Sequence, residues 1–243
     1  MSMGKVIFYL FVILAVGAGV YSYRYSEKVY RFYLLTYYEK YRKATPEDLA
    51  AEARKLYEEK KFPELKRYCE RALVVFPKNA ELNRLLGHAC LHTGEIERGA
   101  RLLLGSLDRT KPNTRELFTA IEVLYRNRLF TDLVIELARF PFSDDMMLTF
   151  MFGVAQFHLD RHDEADRWLR RSQVLGNTDG EVSFYRGTIA ERAGRDNQAL
   201  EQFLAAYRGK PRNQVYRDSL FRLYKKIGRY ADAARLSRRE SIR

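Results

Sequence analysis

The sequence contains little of what marks disulfide-rich scaffolds, disordered chains or enzymes. Its 243 residues include two cysteines, one tryptophan and six prolines. Two cysteines are too few for a disulfide scaffold, and 47% hydrophobic residues without a tract of biased composition predict a folded chain. No glycine-rich phosphate loop, nucleophile elbow or paired-carboxylate motif is present. These absences predict a protein that is not an enzyme and that binds no cofactor.

Few residues are candidates for thiol or metal chemistry. The four histidines form two pairs whose members are four residues apart, His88 with His92 and His158 with His162. Each pair would share one face of a helix, but a metal site needs further ligands, and the sequence offers none at a suitable spacing. A structural role and no metal are therefore expected. Cys69 and Cys90 are expected in the core, as free thiols or, in an oxidising compartment, as a disulfide.

Basic residues outnumber acidic ones by 43 to 31, which gives a formal net charge of +12. A charge of this size suits nucleic acid, anionic lipid headgroups or a solvated surface. The basic residues are spread along the chain and no nucleic-acid-binding motif is present, so no nucleic acid partner is expected. They are densest between Arg217 and Arg239, where an acidic partner is the alternative to plain solvation.

A period of 34 residues runs through most of the chain. It is visible in two sets of equally spaced residues: Ala165, Ala199 and Ala233, and Phe62, Ile96 and Phe130. A unit this short cannot bury its own apolar face, so each unit must stack on its neighbours. The period predicts six repeats: 46–79, 80–113, 114–145, 146–179, 180–213 and 214–243. The third is two residues short, because Leu133 and Ala165 are only 32 residues apart.

Each repeat carries small and turn-forming residues at fixed positions, which we number as places counted from its first residue. Small residues at places 8 and 20 would let two antiparallel helices approach closely, as with Gly187 and Ala199. Glycine at place 15, as at Gly194, can take the left-handed conformation that ends the first helix. Proline near the end of a repeat, as at Pro211, stops the second helix.

This pattern resembles the tetratricopeptide repeat (TPR) over residues 46–243. The resemblance implies an all-α solenoid of about six helix-turn-helix repeats, and a function in binding other proteins. In TPR proteins the first helix of each repeat lines the concave face. Carried over to this sequence, that face would hold Arg54, Tyr57, Arg84, His88, Arg115, Phe118, Tyr125, Met147, Phe150, Phe157 and Phe184. The aromatic members either form an adaptable apolar groove or fill space around the shortened third repeat.

The N-terminus carries the other strong signal. Residues 6–23 are uncharged, which is near the lower end of the roughly 17–25 residues that cross a bilayer as a helix. The segment 1–23 is therefore predicted to be a transmembrane anchor that contacts the lipid bilayer, and a cleaved signal peptide is the alternative.

The tyrosine-rich segment 24–45 is predicted to be a juxtamembrane helix. We expect it to pack on the first repeat or to lie at the membrane surface. Tyr23, Tyr30 and Tyr37 are seven residues apart, so self-association through a short coiled coil is an alternative. Thr45 followed by Pro46 predicts the start of a new helix.

Together these features predict a single-pass protein of the inner (plasma) membrane, a scaffold that assembles other proteins near the bilayer. It is similar in layout to membrane-anchored adaptors of the bacterial envelope. More basic residues follow the apolar segment than precede it, which favours a cytoplasmic solenoid, with a periplasmic one as the alternative. A periplasmic solenoid would be a structural part of a flagellar, pilus or secretion assembly. A regulator acting through its membrane helix and an RNA-binding helical repeat are further alternatives.

Overall fold

The computed structural model describes residues 30–38 and 43–238, together with Ser26 and Lys28. Every secondary-structure element in this part of the chain is helical. Residues 30–38 form α1, and the helices that follow are α2 Pro46–Glu58, α3 Phe62–Val75, α4 Ala80–His92, α5 Ile96–Ser106, α6 Thr114–Arg126, α7 Phe130–Leu137, α8 Met146–His158, α9 His162–Val174, α10 Gly180–Arg192, α11 Asp196–Gly209, α12 Gln214–Lys226 and α13 Tyr230–Arg238. The chain divides into two compact units, Met1–Ser106 and Leu107–Arg243.

The helices keep one register through the six repeats. Each first helix begins at place 1, each is 13 residues long, and each second helix begins at place 17. An Asn, Asp or Thr immediately before each repeat caps the first helix by accepting a hydrogen bond from a backbone N–H of the first turn. The capping residues are Thr45, Asn79, Asn113, Asp145, Asp179 and Asn213.

Close approach of the two helices in a repeat depends on place 8. A Cβ added at Gly87 would lie 2.8 Å from Leu103 Cγ, and one at Gly187 would lie 2.7 Å from Phe203 Cδ1. Leu103 and Phe203 both occupy place 24 and are fully buried. The predicted approach of places 8 and 20 is seen in the second repeat, where a Cβ added at Gly99 would lie 2.8 Å from the carbonyl oxygen of Gly87. The bulky residue at place 24 also lies over the glycine at place 8.

Place 15 is left-handed in every repeat. Its φ angle is 87° at Gly94, 71° at Gly194 and 76° at Gly228, as the sequence predicts. The other three repeats adopt the same conformation without glycine, with φ of 57° at Lys60, 59° at Arg128 and 58° at Asp160. The turn between the two helices is therefore set by the repeat as a whole, because non-glycine residues rarely take this conformation.

The two-residue deletion lies at the end of the third repeat. Its second helix, α7, has 8 residues, whereas the second helices of the first, second, fourth and fifth repeats have 11 to 14. The segment after α7 replaces the missing turn with the buried ring of Phe142, which lies 4.9 Å from Phe152 and 4.9 Å from Trp168 between ring centroids. As a result α8 is surrounded by apolar groups, and every residue from Leu148 to Phe157 is buried.

Neighbouring repeats within each unit are joined by a contact from place 17 of one repeat to place 13 of the next. In the first two such contacts along the chain a phenylalanine stacks on a histidine, with centroids 3.8 Å apart for Phe62 and His92 and 4.4 Å for Phe130 and His158. Further along, His162 Nε2 is 3.1 Å from Arg192, and Lys226 forms an ion pair of 2.6 Å with Asp196. Three of the four histidines thus belong to this series of structural contacts.

The structure describes only part of the segment to which the N-terminal predictions apply. The apolar segment 6–23 lies outside the described residues, and no helix within the described part of the chain is long and apolar enough to cross a membrane. In α1, Leu34 and Tyr38 are buried against Leu49 and Ala53 of the first repeat, and Tyr30, Phe32, Tyr33 and Tyr37 are exposed. The predicted start of α2 is confirmed, because Thr45 and Asp48 form a capping box and Pro46 is the first helical residue.

Candidate functional site

On the first helices of the first unit, the predicted groove residues are polar, and two of them donate hydrogen bonds to the carboxylate of Glu81. Arg84 donates to Glu81 at 2.7 and 2.8 Å, and Arg54 donates to the same carboxylate at 3.1 Å. The hydrogen bonds from Arg84 are the main reason that the pKa of Glu81 lies below its ordinary value. Tyr57 and His88 complete this surface, with ring centroids 5.3 Å apart. The one carboxylate of this surface is therefore paired with cations inside the protein.

On the first helices of the second unit, the predicted residues are mostly aromatic. We call this surface the aromatic face; its rings are Tyr125, Phe150, Phe157, Phe184, Tyr185 and Tyr216. Adjacent helices contribute neighbouring rings, with centroids 6.2 Å apart for Tyr125 and Phe150, 5.0 Å for Phe157 and Tyr185, and 5.1 Å for Phe184 and Tyr216. The rings thus run across α6, α8, α10 and α12.

The predicted residues of this face differ in how much area they offer a partner. Phe150 and Phe157 are only 6% and 9% exposed, so they act mainly as packing between the helices. Met147 is 36% exposed, and Phe118, Tyr125 and Phe184 are half-buried. Arg115 is exposed on α6 and has no ring or ion pair beside it within the described residues. The area available for contact therefore lies around the half-buried rings and Met147.

A second group of aromatic rings packs beside the shortened third repeat. The rings that fill the space left by the shortened third repeat are Phe142, Phe152 and Trp168. None of these three was among the predicted groove residues. The predicted residues lie on the helix faces that carry places 2, 5 and 12, where Tyr125 and Phe184 remain half-buried.

Three residues of the aromatic face were missing from the sequence prediction: Glu181, Tyr185 and Tyr216. Glu181 occupies place 2 of the fifth repeat, the place that Arg115 and Met147 of the predicted set occupy in the third and fourth repeats, so its position alone was a sufficient signal. Tyr185 and Tyr216 occupy places 6 and 3, which no residue of the predicted set occupies. Only the ring contacts with Phe157 and Phe184 reveal them.

Electrostatically, the aromatic face is acidic at the start of α10. Burial, and then the nearby charge of Asp179, raise the pKa of Glu181 above its ordinary value. Burial raises the pKa of Tyr185 and of Tyr216 to about 12, and the charge of Glu181 adds to both shifts. The pKa of Tyr125 is raised for the same two reasons. The three hydroxyls are therefore protonated near neutral pH and available as hydrogen-bond donors.

The ends of α8 and α10 on this face carry basic residues. The guanidinium of Arg192 lies 5.0 Å from the centroid of the Phe157 ring, and His158 stacks on Phe130. Burial, followed by the charges of Arg128 and Arg192, lowers the pKa of His158. This histidine is therefore neutral near pH 7. An extended segment crossing the face between its two ends would meet opposite charges.

The structure shows no arrangement suited to metal or thiol chemistry in the described residues. No group of three or more His, Cys, Asp or Glu side chains there is placed to hold a metal ion. Both cysteines are free and fully buried. Burial raises the pKa of Cys69 to about 12 and also raises that of Cys90, so both thiols are protonated and unreactive near neutral pH.

Comparison with solved structures identifies the architecture. YrrB, described as a TPR protein with an unusual peptide-binding site, superposes with a TM-score of 0.57 at 14% identity, over 75% of this chain and 95% of its own. PilF of Pseudomonas aeruginosa gives 0.52 at 14% identity, over 79% and 88%. MamA from AMB-1 gives 0.53 at 21% identity, over 70% and 94%. No protein-family profile and no curated protein matches the sequence.

These likenesses concern the fold alone, because all three identities are low. They support the fold predicted from the period of 34 residues: the chain is all-helical where described and resembles TPR solenoids.

Proposed function

We propose that this protein is a membrane-anchored scaffold that binds other proteins through the aromatic face of its second unit. The observation that carries the proposal is the run of rings across α6, α8, α10 and α12, which includes half-buried Tyr125, Phe184 and Tyr185. Aromatic rings and methionine are enriched where proteins contact one another, because they bury much area at a small cost in side-chain entropy.

The proposed anchor is the apolar segment 6–23. Just after it, α1 exposes Phe32 by 72% and Tyr33 by 62%, and the basic residues Lys28 and Arg31 are close to them in sequence. Aromatic rings prefer the headgroup layer and basic side chains are attracted to anionic lipid, so this composition suits a helix beside a bilayer. We propose the inner membrane as the location and the cytoplasm as the side of the repeats.

The protein-binding part is tested with the full chain in detergent extract. We expect Met147→Ala combined with Tyr185→Ala to remove most partners recovered by affinity capture and quantitative mass spectrometry. These two side chains carry exposed area, whereas alanine at Phe150 or Phe157 would open a cavity and confound binding with stability. The matched control is Tyr230→Ala, an exposed ring on α13, a second helix. Equal partner recovery from both variants would reject the aromatic face.

The anchor and its orientation are tested separately. A reporter active only outside the cytoplasm is fused after Arg243, and we expect no activity together with recovery of the chain in the membrane fraction. Strong reporter activity would place the repeats in the periplasm. Recovery in the soluble fraction would reject the anchor without affecting the test of the aromatic face.

A further inference from the structure

The carboxylate at place 2 has different surroundings in the second and fifth repeats. In the second repeat this residue is Glu81, and the protein supplies it with two cations: Arg54 from place 9 of the preceding repeat and Arg84 from place 5 of its own. Both are within 3.1 Å of the carboxylate. The repeat therefore has a built-in way to neutralise an acid at place 2.

In the fifth repeat that arrangement is missing. The residue at place 2 is Glu181, and the equivalent neighbours are Val154 and Phe184, neither of which can donate a hydrogen bond from its side chain. Within the described part of the chain, the Glu181 carboxylate makes no hydrogen bond or ion pair. The cation close to it, Lys210, is bound to Asp179 at 2.8 Å.

The surroundings of Glu181 are suited to a cation from outside. The carboxylate is half-buried, so its charge is incompletely solvated, which is unfavourable until a counter-charge approaches. Tyr185 lies four residues after Glu181 on α10, so the two side chains share one face of the helix. The charge of Glu181 also acts on the hydroxyl of Tyr125, and both rings are half-buried. Ring faces attract cations, and a carboxylate among rings adds a charge-assisted hydrogen bond.

We propose that Glu181, with Tyr125 and Tyr185, forms a receptor for a lysine or arginine side chain of a peptide bound on the aromatic face. The assignment rests on the proposed function and names the chemistry of the partner: an apolar segment carrying one basic residue. The acidic pair at this end, Glu181 and Asp179, together carries more negative charge than Lys210 offsets. Arg128 and Arg192 lie at the other end of the face, beside His158.

The experiment selects peptides from a random twelve-residue phage library on the full chain in detergent. We expect the peptides enriched by the wild-type chain to share a lysine or arginine at one fixed position. The affinity of an enriched peptide is then measured by fluorescence polarisation. Glu181→Gln is expected to weaken binding by roughly tenfold to a hundredfold, the effect of losing one charge-assisted hydrogen bond.

A double-mutant cycle isolates the pair. Replacing the basic residue of the peptide by norleucine should weaken binding to the wild-type chain by a similar factor, and should have little further effect with Glu181→Gln. The control Glu201→Gln removes an exposed charge from α11 and should leave the affinity unchanged. Glu181→Lys should enrich peptides that carry an acid at the same position.

The outcomes separate this inference from the proposed function. Enriched peptides without a basic residue, or peptides that bind equally to Glu181→Gln, would overturn the receptor while the aromatic face still binds peptides. If the wild-type chain enriches no peptide at all, both the receptor and peptide binding by the aromatic face are rejected. Thermal unfolding of each variant confirms that lost binding is not lost folding.

Discussion

The surfaces formed by the first helices of the two units share one repeat backbone. They differ in whether the glutamate at place 2 is paired with cations of the protein itself. In the first unit, Arg54 and Arg84 both pair with the carboxylate of Glu81. In the second unit, Glu181 has no such partners, and the neighbouring surface is made of half-buried rings. The comparison shows that identical backbone places can be used either to complete the fold or to leave a surface available for another molecule.

The shared part is the framework: the N-caps, the left-handed residue at place 15, and the contact between places 8 and 24. These features recur in both units because they determine how a helical hairpin closes. The side chains at places 2, 5 and 9 differ between the units, because arginines surround Glu81 in the first unit whereas Val154 and Phe184 take their places around Glu181 in the second. Substitutions in the framework should therefore change the free energy of unfolding strongly in either unit. Substitutions at places 2, 5 and 9 should change it little, and with a different sign in the two units.

The largest effect is expected where the frameworks of the two units differ, at the shortened third repeat. Phe142→Ala should lower the free energy of unfolding by about 3–5 kcal/mol, because it removes a buried ring between Phe152 and Trp168. The single tryptophan makes its fluorescence a local probe during urea unfolding. Ile135→Ala, at an exposed position on α7, should change the free energy by less than about 0.5 kcal/mol. Equal unfolding midpoints for the two variants would contradict this role of Phe142.

A smaller effect should be common to both units at place 8. Gly87→Ala and Gly187→Ala should each cost about 1–3 kcal/mol, because the added methyl group would meet Leu103 or Phe203 at less than 3 Å. Gly105→Ala is the control, since nothing lies within 4 Å of its added Cβ, and it should stabilise α5 by about 0.5–1 kcal/mol. Thermal unfolding of the three variants tests the order. If alanine at Gly87 or Gly187 raises the free energy of unfolding, the two helices can move apart without a loss of stability.

The left-handed turn at place 15 should also respond in the same way in both units. Gly194→Ala should cost about 1 kcal/mol, because alanine at a φ of 71° is strained. In the first unit Lys60→Gly relieves the same strain at a φ of 57° and should leave the free energy of unfolding unchanged or raise it. Urea unfolding measures both variants. A large loss of stability from Lys60→Gly would show that the lysine side chain, and not the backbone, holds the turn.

The sequence predicted the framework well because its features are local. The first helix of each repeat starts at the residue where a unit of the 34-residue period begins, and Gly94, Gly194 and Gly228 marked turns that the structure confirms. The N-caps before the second to sixth repeats were not predicted, although each is an Asn or Asp directly preceding place 1.

The candidate site was less predictable, because it depends on pairs of side chains from different helices. The sequence could assign Phe150 and Phe157 to a face but could not tell that both are nearly buried there. Nor could it tell that Glu81 has two arginines beside it whereas Glu181 has none in contact. Such differences depend on which side chains neighbouring helices bring together, which a period does not encode.

The smallest effects are the most specific to the comparison, and they concern the two glutamates at place 2. The pKa of Glu81 is lowered by hydrogen bonds from Arg84, so its contribution to stability is present above the ordinary value of 4.5 and is lost as pH falls through the lowered pKa. The pKa of Glu181 is raised, so its ionisation destabilises the fold as pH rises from 4.5 through the raised pKa.

At pH 7, Glu81→Gln should therefore lower the free energy of unfolding by less than about 1 kcal/mol, the size expected of a partly exposed ion pair. Glu181→Gln should leave it unchanged or raise it slightly. Urea unfolding at pH 7 and again near pH 3 tests both, since each difference from the wild-type chain should shrink on acidification. If Glu181→Gln destabilises the chain at pH 7, the carboxylate serves the fold, and the two glutamates do not differ in the way that the structure indicates.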